Sequence, residues 1–275
     1  MSKRVAVVSA LVEGNSLRST CRMTGVAMNT VLKLLAELGE ACAEYHETHV
    51  RNVNAKRLQC DEVWQFVYSK AKNVPEEKRD IFGFGDVWTW TAIDADTKMI
   101  VSYMIGPRNP HTAYELMKDL RSRVVGVPQL TTDGLQWYQH AIEYAFGIDV
   151  NYAMQVKKYG NDGQVGRYSP GRFIGSTKEV IRGNPDPRHI STSFVERQNL
   201  TMRMGMRRFT RLTNGFSKKV ENHAYAVALH FMHYNFVRVH KTLRVTPAME
   251  AGLATHIWSL EEMIGLLDRR NAEAA

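Results

Sequence analysis

The sequence predicts an α/β protein: a mixed sheet led by an antiparallel meander, with helices on both faces and helical segments at both ends. Three observations predict it. Strand-like runs at 58–68 (LQCDEVWQFVY), 87–93 (VWTWTAI) and 99–105 (MIVSYMI) follow one another without a helix between them. Helical and strand-like segments then alternate from 112 to 156, and the first fifty residues show helical spacing alone. The chain has 275 residues, with 44% hydrophobic and 23% charged residues, enough to bury a sizeable core plus appendages.

Taken in order, residues 3–12 read as a helix ended by Gly14-Asn15. Ser16 is placed to cap a second helix over 17–23, since its hydroxyl can accept from a free backbone amide. Gly25 makes a tight turn, and a third helix opens at Asn29 or Thr30 with Val31, Leu34, Leu35 and Leu38 on one face. Two short helices joined through a glycine turn have the order of a helix-turn-helix, leaving Asn29, Thr30 and Lys33 to face a DNA groove. A plain helical packing element is the competing reading. Residues 51–57 (RNVNAKR) form a basic linker, after which the hydrophobic period changes to that of strands.

The first meander strand precedes a charged loop at 69–80, and Asp94-Ala95-Asp96-Thr97 turns the second strand into the third. A helix is expected at 112–125, a short strand at 128–132 ending at Asp133-Gly134, a helix at 135–146 stopped by Gly147, and a strand at 150–156. Six glycines and three prolines between 159 and 189 predict a long irregular loop, of the kind that is usually functional. Helices follow at 193–208 and 218–240, and a last one at 259–270 with Ser259 and Glu262 as its capping box. That element order is the one of the ribonuclease H-like fold. It divides the chain into a helix-turn-helix at 1–50, a linker at 51–57, a catalytic domain at 58–212 with an insertion loop about 157–190, and a helical region at 213–275.

The net charge of +8 points to a polyanionic partner. Its placement is more telling: between Arg197 and Lys219 there are seven Lys or Arg and no acid, whereas the first 56 residues are near balance. Three scattered cysteines without a CxxC pair argue against a disulfide framework or a cysteine zinc finger, and fit a reduced cytoplasmic compartment. No apolar run reaches the roughly 18 residues of a membrane span, so no membrane association is expected.

The candidate chemistry rests on three acids. Asp61 lies within the first strand, Asp133 directly after the fourth, and Glu196 on the helix after the long loop. Neighbouring strands of an open sheet can bring the first two together, and a helix laid across them can add the third. Such a set suits Mg²⁺, a hard cation that takes few protein oxygens, and two such ions can stabilise the attacking and leaving oxygens of a phosphoryl transfer. Each acid also has a bland reading: Asp133 as a turn aspartate, Glu196 as a first-turn residue complementing the helix dipole, and Glu62 as an exposed alternative to Asp61. Arg203 lies two helical turns beyond Glu196 on the same face. Arg197, Arg207, Arg208 and Arg211 are further candidates for phosphate contacts. His230 and His233 read as packing histidines, and Asp94 with Asp96 as a hairpin turn.

The segments LQCDEVWQFV around Asp61, LTTDGLQWY around Asp133 and STSFVERQNLTMR around Glu196 resemble the three-carboxylate motif of the DDE transposases, most closely the bacterial insertion sequence one type. Arg203, seven residues past the glutamate, matches that pattern. The segment HYNFVRVHKTLRVTPAMEAG is similar to a C-terminal motif of insertion-sequence transposases and integrases, through Tyr234, Asn235, Arg238, His240, Leu243, Thr246 and Pro247. Arg238 and His240 join the candidate DNA contacts on this ground. The resemblance implies cleavage and strand transfer of DNA with two Mg²⁺ ions, Mn²⁺ being a substitute. It also implies binding to terminal inverted repeats and target DNA, a homo-oligomer, and a bacterial cytoplasmic setting on the nucleoid. Members of this type often carry a cysteine zinc finger ahead of the helix-turn-helix, which this sequence does not show. Two other functions stay open on the sequence: a non-catalytic helix-turn-helix regulator, and a ribonuclease H-like nuclease acting on RNA–DNA hybrids.

Overall fold

A computed structural model describes residues 2–160, 171–210 and 213–273. Helices α1 (Lys3–Val12), α2 (Leu17–Thr24) and α3 (Met28–His49) open the chain. Ser16 caps α2 by accepting from the Ser19 amide at 3.0 Å, and Gly25, at φ 68°, ends it in the left-handed conformation that glycine adopts without a Cβ clash.

Strands β1 (Arg57–Val67), β2 (Gly85–Asp94) and β3 (Ile100–Gly106) form the antiparallel meander. The β2–β3 turn is held by Asp94, whose carboxylate accepts from the Asp96 amide and the Thr97 hydroxyl. Helix α4 (Pro110–Arg123), capped by Asn109 with proline at its first position, leads to β4 (Gln129–Thr132). Helix α5 (Trp137–Phe146) leads to β5 (Asn151–Gly160), and β6 (Arg172–Arg182) pairs back on it. The sheet order is β3-β2-β1-β4-β5-β6, with β1, β4 and β5 parallel and the others antiparallel. This mixed sheet with its leading meander is the ribonuclease H-like arrangement expected from the element order.

The sequence expectation fails in the stretch 159–189. In its described part this is not an irregular loop: β5 runs on to Gly160, and β6 pairs with it from Arg172 to Arg182. Thr177, Val180 and Ile181 favour extended backbone and the Phe173 ring meets Tyr159 of β5, signals that the glycines and prolines outweighed. Residues 161–170 lie outside the described residues.

Helix α6 (Ser193–Gly205) crosses the sheet, and a 3₁₀ turn (Arg207–Phe209) follows it. The helix expected over 218–240 is shorter: α7 (Val220–Met232) gives way to a π-helical turn at His233–Val237. There Asn235 is fully buried and grips β3, accepting from the Ile100 amide and donating to the Ile100 carbonyl, each at 3.0 Å. Thr246 caps the short α8 (Pro247–Glu250), with Pro247 at its first position. Ser259 and Glu262 form the expected capping box at the start of α9 (Leu260–Glu273).

The first fifty residues do not stand apart from the rest. One cluster of buried side chains runs from Val8 and Leu38 through Trp90 and Met99 to Leu229 and Met263. Gly39 lets α3 lie directly on α7, since a Cβ there would stand 2.5 Å from the Tyr225 Cβ. Residues 51–57 are likewise tied down: Val53 exchanges backbone hydrogen bonds with Arg123 and Val125, and the Lys56 carbonyl accepts from Gln129. Buried Arg123 joins the end of α3 to α4 by pairing with Asp119 and Glu47 and donating to the His46 carbonyl. Among the described residues no helix is long and apolar enough to cross a membrane.

Candidate active site

The candidate site forms where β1 and β4 run side by side. Cys60 pairs with Thr132, the last residue of β4, so the chain emerges from β4 with Asp133 beside Asp61. In an open α/β sheet the carboxyl ends of parallel strands are where ligands gather. The carboxylates of Asp61, Glu62 and Asp133 offer one oxygen each, all within 4.8 Å of one another. This is the one group of potential metal-ligating side chains of that kind among the described residues.

Each carboxylate is oriented by hydrogen bonds. Asp61 accepts from the Glu62 amide and from the Asn199 side-chain amide on α6, both at 2.8 Å. One oxygen of Asp133 accepts from the Leu135 amide at 3.0 Å, so the turn role and the site role belong to the same residue. Glu62 accepts from Arg108 at 2.7 Å and from the Tyr138 hydroxyl at 3.2 Å. Arg108 in turn lies over the Trp88 ring.

Electrostatics show what this arrangement favours. Burial, then the charges of Glu62 and Asp133, push the Asp61 carboxyl well above the usual carboxylate range. Burial and Asp133 raise Glu62 against the pull of Arg108, and burial raises Asp133. Three acids that ionise reluctantly together, with hard oxygen donors converging, fit a divalent cation, whose charge would relieve the repulsion.

Glu196 sits in the first turn of α6, next to this cluster rather than inside it. Its charge acts on both Asp61 and Asp133, while its own oxygens accept from the Thr192 hydroxyl at 2.6 Å and pair with Lys157 of β5. Helix α6 is held in place by the sheet itself. The Gln59 side-chain oxygen accepts from the Phe194 and Val195 amides at 2.8 and 3.1 Å, and Gln155 accepts from the Thr192 amide at 2.9 Å. Two of the free amides at the helix start are thereby satisfied from the strand that carries Asp61.

The basic candidates separate. Arg197 and Arg207 are exposed, Arg203 is half-buried, and Arg238 is exposed beside a half-buried His240. Asn29, Thr30 and Lys33 are exposed on the first turns of α3, Lys33 pairing with Glu37. Arg208 corrects the expectation of an outward phosphate contact. Its guanidinium donates to Ser217, its carbonyl accepts from Gln65, and burial lowers its pKa to about 10. The adjacent exposed and inward arginines follow from the 3₁₀ turn, which points successive side chains in different directions. Arg211 lies outside the described residues. His230 and His233 are held neutral by burial at about 3 and about 4, and among the described residues no carboxylate acts on either, in keeping with a packing role.

Sequence reasoning missed Glu62, Arg108, Tyr138, Asn199, Gln59 and Lys157. Glu62 was expected on an exposed face, but β1 is covered on both faces, so no face was open to it. The available signal was that apolar residues of 58–67 fall on both faces of the strand, Leu58, Cys60, Trp64 and Phe66 on one and Val63 and Val67 on the other, which marks a central strand in which no acid stays idle.

No protein-family model matches the chain. It is similar to the insertion element iso-IS1n protein InsB of Shigella dysenteriae, 28% identical over 163 residues that make up 59% of this chain and 84% of that protein. Among solved structures it matches a piggyBac transposase synaptic complex with hairpin DNA at a TM-score of 0.39 and 10% identity. That alignment covers 98% of this chain and 71% of the other.

Proposed function

We propose that this chain is an insertion-sequence transposase that cleaves DNA strands and joins them to new ones, using Asp61, Asp133 and Glu196. The observation that carries the reading is the convergence of Asp61 and Asp133 from adjacent parallel strands, with α6 and its Glu196 pinned across the same strand by Gln59. The likeness to the insertion-element protein InsB supports it.

In this reading Asp61 and Asp133, with Glu62 in the same cluster, would hold divalent cations, Mg²⁺ first and Mn²⁺ as a substitute. Such ions would supply positive charge to the attacking and leaving oxygens of a phosphodiester transfer. The protein's own groups do the rest. Asn199 and the Glu62 amide fix the Asp61 carboxylate, and Arg108 and Tyr138 fix Glu62. Lys157 holds Glu196 at the edge of the cluster and places an ammonium beside it. Arg197, Arg203 and Arg207, with Arg238 and His240, track the DNA backbone, while α2 and α3 present Asn29, Thr30 and Lys33 to a groove of the terminal repeats. Action on two DNA ends calls for a homo-oligomer, and the setting is the bacterial nucleoid.

The test is direct. With Mg²⁺ and terminal-repeat DNA the protein is expected to give nicked ends and strand-transfer products, and Asp61→Asn, Asp133→Asn and Glu196→Gln are expected to bind the ends without processing them. Binding of those ends by the unmodified protein with no metal-dependent product sinks the enzyme reading. An RNA–DNA hybrid cut in preference to duplex DNA would point to a nuclease instead.

A further inference from the structure

A second site lies away from the carboxylates, where the start of the chain meets the far end of α6. A cavity of about 700 Å³ opens between α1–α3 on one side and the 3₁₀ turn after α6 and the α7 helix on the other. Its volume falls in the range of small-ligand sites. One wall exists because Gly14, at φ 78°, packs its backbone on the Gly205 carbonyl, 3.0 Å from where a Cβ would stand.

The lining has two characters. Leu35, Met206 and Leu229 give it an apolar floor. Arg18, Arg207, Arg208 and Lys218 line it as well, and among the described residues no Asp or Glu does. Three of these cations, Arg18, Arg207 and Lys218, are exposed. Lys218 stands over the face of Phe216, another lining residue, 3.6 Å from the ring centroid. His230 lines the cavity too; it is buried, and its Nε2 has no hydrogen-bond partner among the described residues. A buried polar nitrogen without a partner is costly unless a ligand completes it.

An apolar floor with one neutral donor/acceptor group, lined as well by cations with no acidic lining residue among the described residues, suits a flat heterocycle that carries a phosphate. We propose that this cavity takes one nucleotide of a DNA strand, its base against Leu35, Met206 and Leu229 with an edge on His230, and its phosphate at Arg18, Arg207 and Lys218. The inference rests on the DNA-processing reading and deepens it. The pocket is built on the helix that carries Glu196 and on the helices proposed to read the DNA, so a base seated there would register one against the other.

The experiment uses the full chain without Mg²⁺, titrated with a short fluorescent single-stranded oligonucleotide and with the same strand made abasic. Base burial against an apolar, polar-edged floor predicts about ten-fold tighter binding of the base-bearing strand. His230→Leu, which removes the partnerless nitrogen and keeps the volume, is expected to lower that preference about five-fold. Asn15→Trp, which sets a bulky ring in the lining, is expected to erase it, and both variants are expected to keep salt-dependent binding of the abasic strand. Lys218→Ala is expected to weaken both strands alike. Equal binding of the two strands by the unmodified protein overturns the proposal and leaves a phosphate patch alone. So does a base preference that survives Asn15→Trp, and so does a change of oligomeric mass in that variant with the preference intact, which would assign the cavity to a second copy of the chain. Failure of the transposase reading looks different: the base preference holds, and no metal-dependent product forms from terminal-repeat DNA.

Discussion

Strands β1 and β6 have the same length, 11 residues, and opposite surroundings. β1 runs through the centre of the sheet, paired on both sides and covered on both faces, and it carries Asp61, Glu62 and Gln59. β6 closes the sheet order at one end and is exposed along nearly its whole length, with Phe173, Ile174 and Val180 open to solvent. A central strand fixes the position of a side chain within fractions of an ångström because every neighbour resists displacement. An exposed terminal strand cannot do so. The demanding positions of the candidate site therefore fall on β1 and β4, and β6 is free to vary.

The first way to break this contrast is at Asp61. Asp61→Asn keeps the size of the side chain and removes a charge that burial and two neighbouring acids disfavour. DNA processing is expected to fall about a thousand-fold, equivalent to about 4 kcal/mol of transition-state stabilisation. The metal-free variant is expected to be more stable than the parent by about 1 kcal/mol, with Mg²⁺ raising the melting temperature of the parent alone. Product assays and thermal melts with and without metal check both halves, and a metal-free variant less stable than the parent would contradict the crowding of charges.

Gln59→Ala tests whether the strand positions the helix. Two amides at the start of α6 lose their acceptor, at a cost of about 2 kcal/mol, measurable by denaturant unfolding. Activity is expected to drop further than stability explains, because Glu196 loses its fixed approach.

The buried side also responds to pH. Burial, with smaller contributions from His233 and Arg238, holds His230 at about 3, below its ordinary value of about 6.5. It stays neutral in the folded state while the unfolded chain takes up a proton below about pH 6.5. Its contribution is therefore complete above that pH and is lost as pH falls toward 3. His230→Leu should flatten the acid limb of the stability–pH curve by about 1.4 kcal/mol per pH unit. An unchanged slope would place a proton on the folded histidine. At the other end of the comparison, Phe173→Ser on β6 removes one exposed edge contact with Tyr159 and should change stability by less than about 0.5 kcal/mol.

The same contrast explains what was legible in the sequence. β1, β2, β3, β4 and the capped helices announce themselves through apolar runs and local hydrogen-bonding residues such as Ser16, Asn109 and Ser259, whose signals are short-range. The order of Asp61, Asp133 and Glu196 along successive elements was readable for that reason. What escaped depends on contacts distant in the chain: Arg108 on Glu62, Gln59 on α6, Asn199 on Asp61. β6 was hidden differently. Its partner is β5 alone and it buries little, so composition outweighed pattern. The motif residues Asn235 and Thr246, noted for their likeness to a family segment, have structural tasks here, as a long-range clamp on β3 and a local helix cap.

The packing of Gly39 on Tyr225 has a consequence for how the molecule comes into being. Helix α3 leaves the ribosome early, and the surface it needs is made only when α7 is synthesised, after all six strands. Until then Val31, Leu35 and Leu38 lack the cover that α7 adds to that of α1 and α2, and β3 lacks the Asn235 clamp on Ile100. Contacts of such long sequence separation close slowly. A chain released short of α7 is expected to keep its three acids and yet hold none of them in register.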